Sequence, residues 1–207
     1  MAKSPRKIGI IISGGNPWEI VFCLYNLEKR GIQRQPITTS TKITSAAVHD
    51  YEQEISKVAL LNLAEVKATG LEALIIPGGF KLFNSMCNFE QAGDSFKIDE
   101  SLRNVIKGMY RLGKPVAGFG PAGLLIAKSI QGIVDSAPVI TVGSDPRLQA
   151  GVEGTGAQAV LTRPGEVVLD QTNKLITSGG EHGASRLDAV ADACSSLVQG
   201  IMELIKK

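Results

Sequence analysis

Cysteine is scarce in this chain: three residues in 207, Cys23, Cys87 and Cys194, with no CxxC pair. That excludes a disulfide framework and a cysteine-built zinc site, and it suits reduced thiols in a cytosolic protein. No block of Lys or Arg occurs and the net charge is only +2, which excludes a nucleic-acid or membrane surface as the main business of the chain. Long apolar runs are missing too. The run that follows the basic start ends at Ser13, too short for a transmembrane helix and unlike a signal peptide. The expected location is cytoplasmic. Histidine is limited to His49 and His182. His49 sits in a polar segment with no second ligand at helical or hairpin spacing, so a surface position is expected and no metal is. No dinucleotide or P-loop motif is present: Ser13-Gly-Gly-Asn16 lacks both GxGxxG and GxxxxGK[ST] spacing. No cofactor is expected.

What is present is a complete α/β pattern. Lys7-Ile-Gly-Ile-Ile-Ile12 and Leu71-Glu-Ala-Leu-Ile-Ile76 read as strands buried on both faces. Trp18 to Lys29 carries Ile20, Val21, Leu24 and Leu27 at helical spacing and stops at Gly31. Gln35 to Thr39 is a further strand, and Thr41 to Glu54 a polar loop leading into a helix. Asn84 to Ile98 reads as irregular, and Asp99 as the N-cap of a helix to about Leu112. Val139 to Val142, Ala159 to Leu161 and Glu166 to Leu169 read as strands, with a short helix from Asp145 and Pro146 between the first two. Asp170 to Asn173 turns back into Leu175 to Thr177, a hairpin. Ala184 to Ile205 is a long closing helix with Leu187, Val190, Ala191, Cys194, Leu197, Val198, Ile201 and Leu204 on its apolar side. Strands alternating with helices and no linker predict one domain over 1–207. Its expected fold is a three-layer α/β sandwich with a mostly parallel sheet, a C-terminal β-hairpin and a long closing helix. Sites in such sheets lie at the carboxyl ends of the strands, where the loops after Ile12, Ile76, Phe119 and Thr177 converge.

One stretch organises the rest. Pro115-Val-Ala-Gly-Phe119 is a strand and Pro121 to Lys128 a helix, with Gly118, Gly120 and Gly123 crowding the turn. This is the pattern of a nucleophile elbow, in which Cys or Ser occupies a strained apex. The apex here is Gly120, which has no side chain but adopts the strained backbone without cost.

The segments Ile8-Gly-Ile-Ile-Ile-Ser-Gly14, Glu19 and Ala73-Leu-Ile-Ile-Pro-Gly-Gly-Phe80 resemble the PfpI-type branch of the class I glutamine amidotransferase-like superfamily. Gly113-Lys-Pro115, Gly143-Ser-Asp145, Gly156-Ala157 and Val168 to Thr177, with Asn84 and Asn88-Phe89 in support, resemble the ElbB-like subgroup more specifically, also called sigma cross-reacting or isoprenoid-biosynthesis-associated proteins. The resemblance covers nearly the whole chain. It implies a flavodoxin-like sandwich, commonly a homodimer, and a pocket built from an elbow Cys, an acid of the first helix and backbone N–H groups of the Pro-Gly-Gly turn. It also implies glyoxalase-type activity on small 2-oxoaldehydes. Two departures stand out: the family's Cys falls on Gly120, and the loop between Gly14 and Glu19 is shorter than the subgroup usually has.

The expected pocket comprises Glu19, Gly78, Gly79, Gly120, Pro121, Glu181 and His182, with Glu19 and His182 as the candidate catalytic groups. Glu19 is either a pocket carboxylate with a raised pKa or an exposed first-turn acid favoured by the helix dipole. His182 beside Glu181 is either an acid/base pair at the strand ends or a solvated loop. Cys23 shares a helix face with Glu19 and Cys87 lies after Pro77-Gly-Gly-Phe80, so each is a candidate for a displaced thiol or for plain packing. Trp18 is a lid or a dimer contact. The expected role is small-molecule or protein binding by a member without its nucleophile, with glyoxalase or hydrolase chemistry through Glu19, His182 or a relocated thiol as the alternative. Glutaminase activity is weakest, because its triad needs the missing Cys.

Overall fold

The computed structural model describes residues 7–39, 59–183 and 186–206. The polar segment 41–54 and His49 lie outside the described residues. The main sheet has seven strands. In chain order they are β1 (Lys7–Ile11), β2 (Gln33–Thr38), β3 (Leu61–Asn62), β4 (Ala73–Ile76), β5 (Val116–Phe119), β8 (Val167–Asp170) and β9 (Leu175–Ser178). Their spatial order is β3-β2-β1-β4-β5-β9-β8. All neighbours are parallel except β8 and β9, which form the expected antiparallel hairpin, with Leu169 opposite Ile176.

Side-chain alternation divides the core between the two faces of this sheet. Ile8, Ile10, Ala73, Ile75, Ala117, Phe119 and Ile176 pack beneath α1 (Pro17–Lys29) and the closing helix α7 (Leu187–Lys206). Ile11, Leu74, Ile76, Val116 and Leu175 face the other layer. That layer holds α2 (Phe80–Met86), α4 (Glu100–Arg111), α5 (Ala122–Ile130) and α6 (Pro146–Gly154). Every residue of β4, β5 and β9 is buried, which is why β4 and β5 are unbroken apolar runs in sequence; β9 ends in the buried polar pair Thr177 and Ser178. Pro36 sits inside β2 although proline removes a ladder donor. The two-residue β3 pairs with Ile37 and Thr38, so among the described residues no strand pairs with the outer side of β2 at Pro36.

Helix starts follow their caps. Asp99 accepts from the Leu102 amide, and Asp145 from those of Arg147 and Leu148 ahead of Pro146. Two expectations are corrected. The stretch 84–98 is not irregular: it holds the end of α2, the single-turn α3 (Phe89–Ala92) and a 3-10 turn at Gly93–Ser95. Edge-to-face contacts of Phe89 with Phe83 and Phe96, at 6.0 and 5.1 Å, hold these short pieces, and helices of one or two turns leave no readable period. The strands expected at 139–142 and 159–161 shrink to β6 (Val139–Ile140) and β7 (Gln158–Ala159), which form a separate two-stranded sheet. Side chains of the hairpin fasten that small sheet: Asp170 accepts from the Val139 amide at 3.0 Å, and Thr177 from the Thr141 amide at 2.9 Å.

Candidate functional site

Three loops at the carboxyl ends of β1, β4 and β9 are tied together by Asn16 and Glu19. Asn16 caps α1, its side-chain oxygen accepting from the amides of Trp18 (2.9 Å) and Glu19 (3.2 Å). Its own amide donates to the Gly78 carbonyl at 2.8 Å, joining the loop after β1 to the loop after β4. Its side-chain nitrogen donates to the Glu181 carboxylate, joining the loop after β9.

Glu19 stands at the third position of α1, where a glutamate commonly folds back on its own cap residue. Here it turns inward and is 1% exposed. Oε2 accepts from the Gly78 amide at 2.6 Å and Oε1 from the Glu181 amide at 3.0 Å. Burial dominates its electrostatics and lifts the pKa from 4.5 to about 7. The two amide donors oppose that rise, and the negative Glu181 adds to it. The surrounding glycines are required by space. A Cβ on Gly180, which has φ 57°, would lie 2.2 Å from Glu19 Oε1, and one on Gly78 would lie 3.1 Å from both Glu19 Oε2 and the Phe119 carbonyl.

The elbow has the strained geometry its sequence pattern implies. Gly120 lies between β5 and α5 with φ 49°, its amide donating to the Ser178 carbonyl at 2.8 Å and its carbonyl accepting from Gly123 at 3.0 Å. Gly120 and Pro121 are buried. A cavity of about 400 Å³ opens nearby, lined by Gly14, Gly15, Asn16, Pro17, Gly79, Phe80 and Lys81. Of the expected pocket residues Gly79 lines this cavity, whereas Glu19, Gly78, Gly120 and Pro121 are buried. Glu181 is exposed apart from its bond to Asn16. The backbone of His182 belongs to a 3-10 turn at Gly180–Gly183, and its side chain lies outside the described set.

The thiols are placed for packing. Cys23 and Cys194 are both fully buried between α1 and α7, and the Cys194 thiol donates to the Glu19 carbonyl at 3.7 Å. Burial, with Cys194 as its next influence, pushes the Cys23 thiol well above its ordinary value. Cys87 is half-buried, and burial raises it as well. The raised pKa values leave Cys23 and Cys87 protonated at neutral pH, the opposite of an activated nucleophile. Trp18 is 49% exposed and stacks on Phe22 with centroids 6.2 Å apart. Among the described residues no group of three His, Cys, Asp or Glu side chains is placed to hold a metal ion. Nor is any described helix long and apolar enough to cross a membrane.

Asn16 is the residue of this cluster that motif reading passes over. The sequence signal was there: Asn immediately before Pro at the head of a helical pattern is a cap. Its further bonds to Gly78 and Glu181 join positions 62 and 165 residues away, and no local pattern reveals them.

No protein-family model matches the chain. The human glutamine amidotransferase-like class 1 domain-containing protein 3, mitochondrial, is 25% identical over 162 residues, covering 74% of this chain and 59% of that protein. The chain thus spans little more than half the length of this curated relative. The crystal structure of an isoprenoid biosynthesis protein with an amidotransferase-like domain from Ehrlichia chaffeensis superposes with a TM-score of 0.79 at 14% identity, covering 95% of this chain and 99% of that one. Drosophila melanogaster DJ-1beta superposes with a TM-score of 0.61 at 20% identity, covering 98% and 97%. In sequence the chain is thus similar to a class 1 glutamine amidotransferase-like protein, and its fold is the one shared by amidotransferase-like and DJ-1 structures.

Proposed function

We propose that this chain is an ElbB-like member of the class I glutamine amidotransferase-like superfamily that has dispensed with covalent chemistry and acts by binding a small molecule or a protein partner at the carboxyl-end cleft. The observation that carries this reading is Gly120: the elbow keeps its strained backbone, φ 49°, but presents no nucleophile. Thiohemiacetal chemistry on a 2-oxoaldehyde needs a thiolate within reach of the aldehyde carbon and a base to move the proton. Burial raises the thiols of Cys23 and Cys87, Cys194 is sealed in the core, and both oxygens of Glu19 already accept backbone amides.

The runner-up is a glyoxalase or hydrolase that uses Glu19 as a base. It is favoured by one feature, a carboxyl lifted to about 7, where proton transfer at neutral pH is most effective. Turnover of methylglyoxal and glyoxal by the unmodified protein, beside Gly120→Cys, separates the two. Activity in the variant alone supports the binding reading. Activity in the unmodified protein that disappears in Glu19→Gln supports the enzyme.

A homodimer and a cytoplasmic, reducing location are part of the proposal. Trp18, Val21 and Tyr25 form an exposed apolar stripe on α1 that suits contact with a second copy. Sedimentation equilibrium tests this, and a monomer at micromolar concentration removes that part of the proposal.

A further inference from the structure

The second cavity of the molecule is built from different chemistry. It has a volume of about 480 Å³, within the range of small-molecule sites, and lies where the chain before α4 meets α4 and the end of α5. Phe96, 3% exposed, and the half-buried Ile98 supply apolar surface. Around them stand Lys97, Arg103, Lys107 and Lys128, with Glu100 as the single carboxylate in the lining, and Asn104 and Gln131 as neutral polar groups.

The placement follows from helix periodicity. Glu100, Arg103, Asn104 and Lys107 fall at intervals of three and four on α4, opposite the buried Leu102, Val105, Ile106 and Met109. Arg103 and Lys107, four apart, repel each other on that face. Among the described residues, no carboxylate lies within 4.0 Å of Lys97, Arg103, Lys107 or Lys128, although the same criterion pairs Arg147 with Glu90 and Arg34 with Glu28. Lys128 is positioned from α5 instead, its ammonium 4.9 Å from the centre of the Phe96 ring and donating to the Asp94 carbonyl at 3.4 Å.

We propose that this cavity is a binding site for a small molecule carrying a phosphate-type dianion on an apolar body. Four cations with no carboxylate partner among the described residues line one concavity whose wall includes an aromatic ring, so a multiply charged head group and an apolar portion are satisfied together. A singly charged carboxylate would leave most of that charge uncompensated. A nucleic-acid strand fits less well. The chain as a whole carries only +2. None of these residues belongs to the Glu19 cluster, so the inference stands apart from the proposed function of that site.

The test is calorimetric titration of the full chain with phenyl phosphate at low ionic strength. Saturable one-to-one binding is expected, weakened by added salt and reduced about tenfold or more in Arg103→Ala/Lys107→Ala. Lys128→Met should weaken it independently. Arg147→Ala, an exposed cation paired with Glu90 outside the cavity, should leave it unchanged. All variants are checked for native far-UV circular dichroism. The proposal is overturned if the unmodified protein shows no saturable binding or if the double variant binds equally well. It is also overturned if a single-stranded oligonucleotide binds more tightly than phenyl phosphate through these same residues.

Discussion

Two charged regions of this molecule have opposite solutions. Around Glu19 one carboxyl is withdrawn from water and both of its oxygens are met by backbone amides of distant loops. Around Lys107 four cations stand at an open cavity with no carboxylate partner among the described residues. The first arrangement uses its polar groups up inside the fold, so it fixes loop geometry and tunes a proton. The second leaves its polar groups to solvent, so they contribute little to folding and are available to a ligand.

The contrast breaks most sharply at Gly180. Gly180→Ala would drive a methyl group to 2.2 Å from Glu19 Oε1 and force a side chain onto φ 57°. A loss of about 4 kcal/mol in urea-induced unfolding is expected. Gly156→Ala separates the two causes, because φ there is 87° but nothing lies within 4 Å of the added carbon. It should cost only about 1 kcal/mol. Equal losses at the two positions would mean that Glu19 is not packed against Gly180.

Next in size is a pH effect. The carboxyl of Glu19 moves from 4.5 in the unfolded chain to about 7 in the folded protein. Between those values the folded state keeps a proton that the unfolded state has released. Its stabilising contribution is therefore whole below the unfolded value and is lost as pH rises through about 7. From this group alone, unfolding free energy should fall by about 3 kcal/mol between about pH 4 and about pH 8, and Glu19→Gln should flatten that slope. An unchanged slope in the variant would assign the pH dependence to other groups.

Asn16→Ala should cost about 1–2 kcal/mol, as for a lost helix cap, and should also loosen the Glu181 loop. Hydrogen exchange at the Glu181 amide reads the second effect. At the cationic face, by contrast, Arg103→Ala should change stability by no more than about 0.5 kcal/mol, because it removes an exposed charge with no carboxylate partner among the described residues and a repulsion with Lys107. A loss comparable to that of Asn16→Ala would show that this charge is structural after all.

The parts legible in sequence are those governed by local pattern. The continuous apolar runs of β1 and β4, the caps Asp99 and Asp145, the hairpin around Asp170 and the glycine at the elbow were all visible, because burial on two faces, capping and tight turns each leave a short-range signature. Glu19 was singled out, but whether it faced water or the interior was not decided by its place in the helix's first turn, since both readings use the same position. The short helices of 84–98 leave no periodic signature in sequence, because tertiary aromatic contacts hold them.

By itself the sequence determined the parallel sheet, the two helical layers and the lack of a nucleophile at position 120, all of which follow from residue type and periodicity. Tertiary structure alone decided that Glu19 would be buried against Gly78 and Glu181, that Cys23 and Cys194 would be sealed together, and that cations from α4, α5 and the chain before them would share one cavity. The physical reason is the same in each case. A group's charge state and reactivity depend on water and on partners, and those partners lie tens to more than a hundred residues away along the chain, brought close only when the strands align.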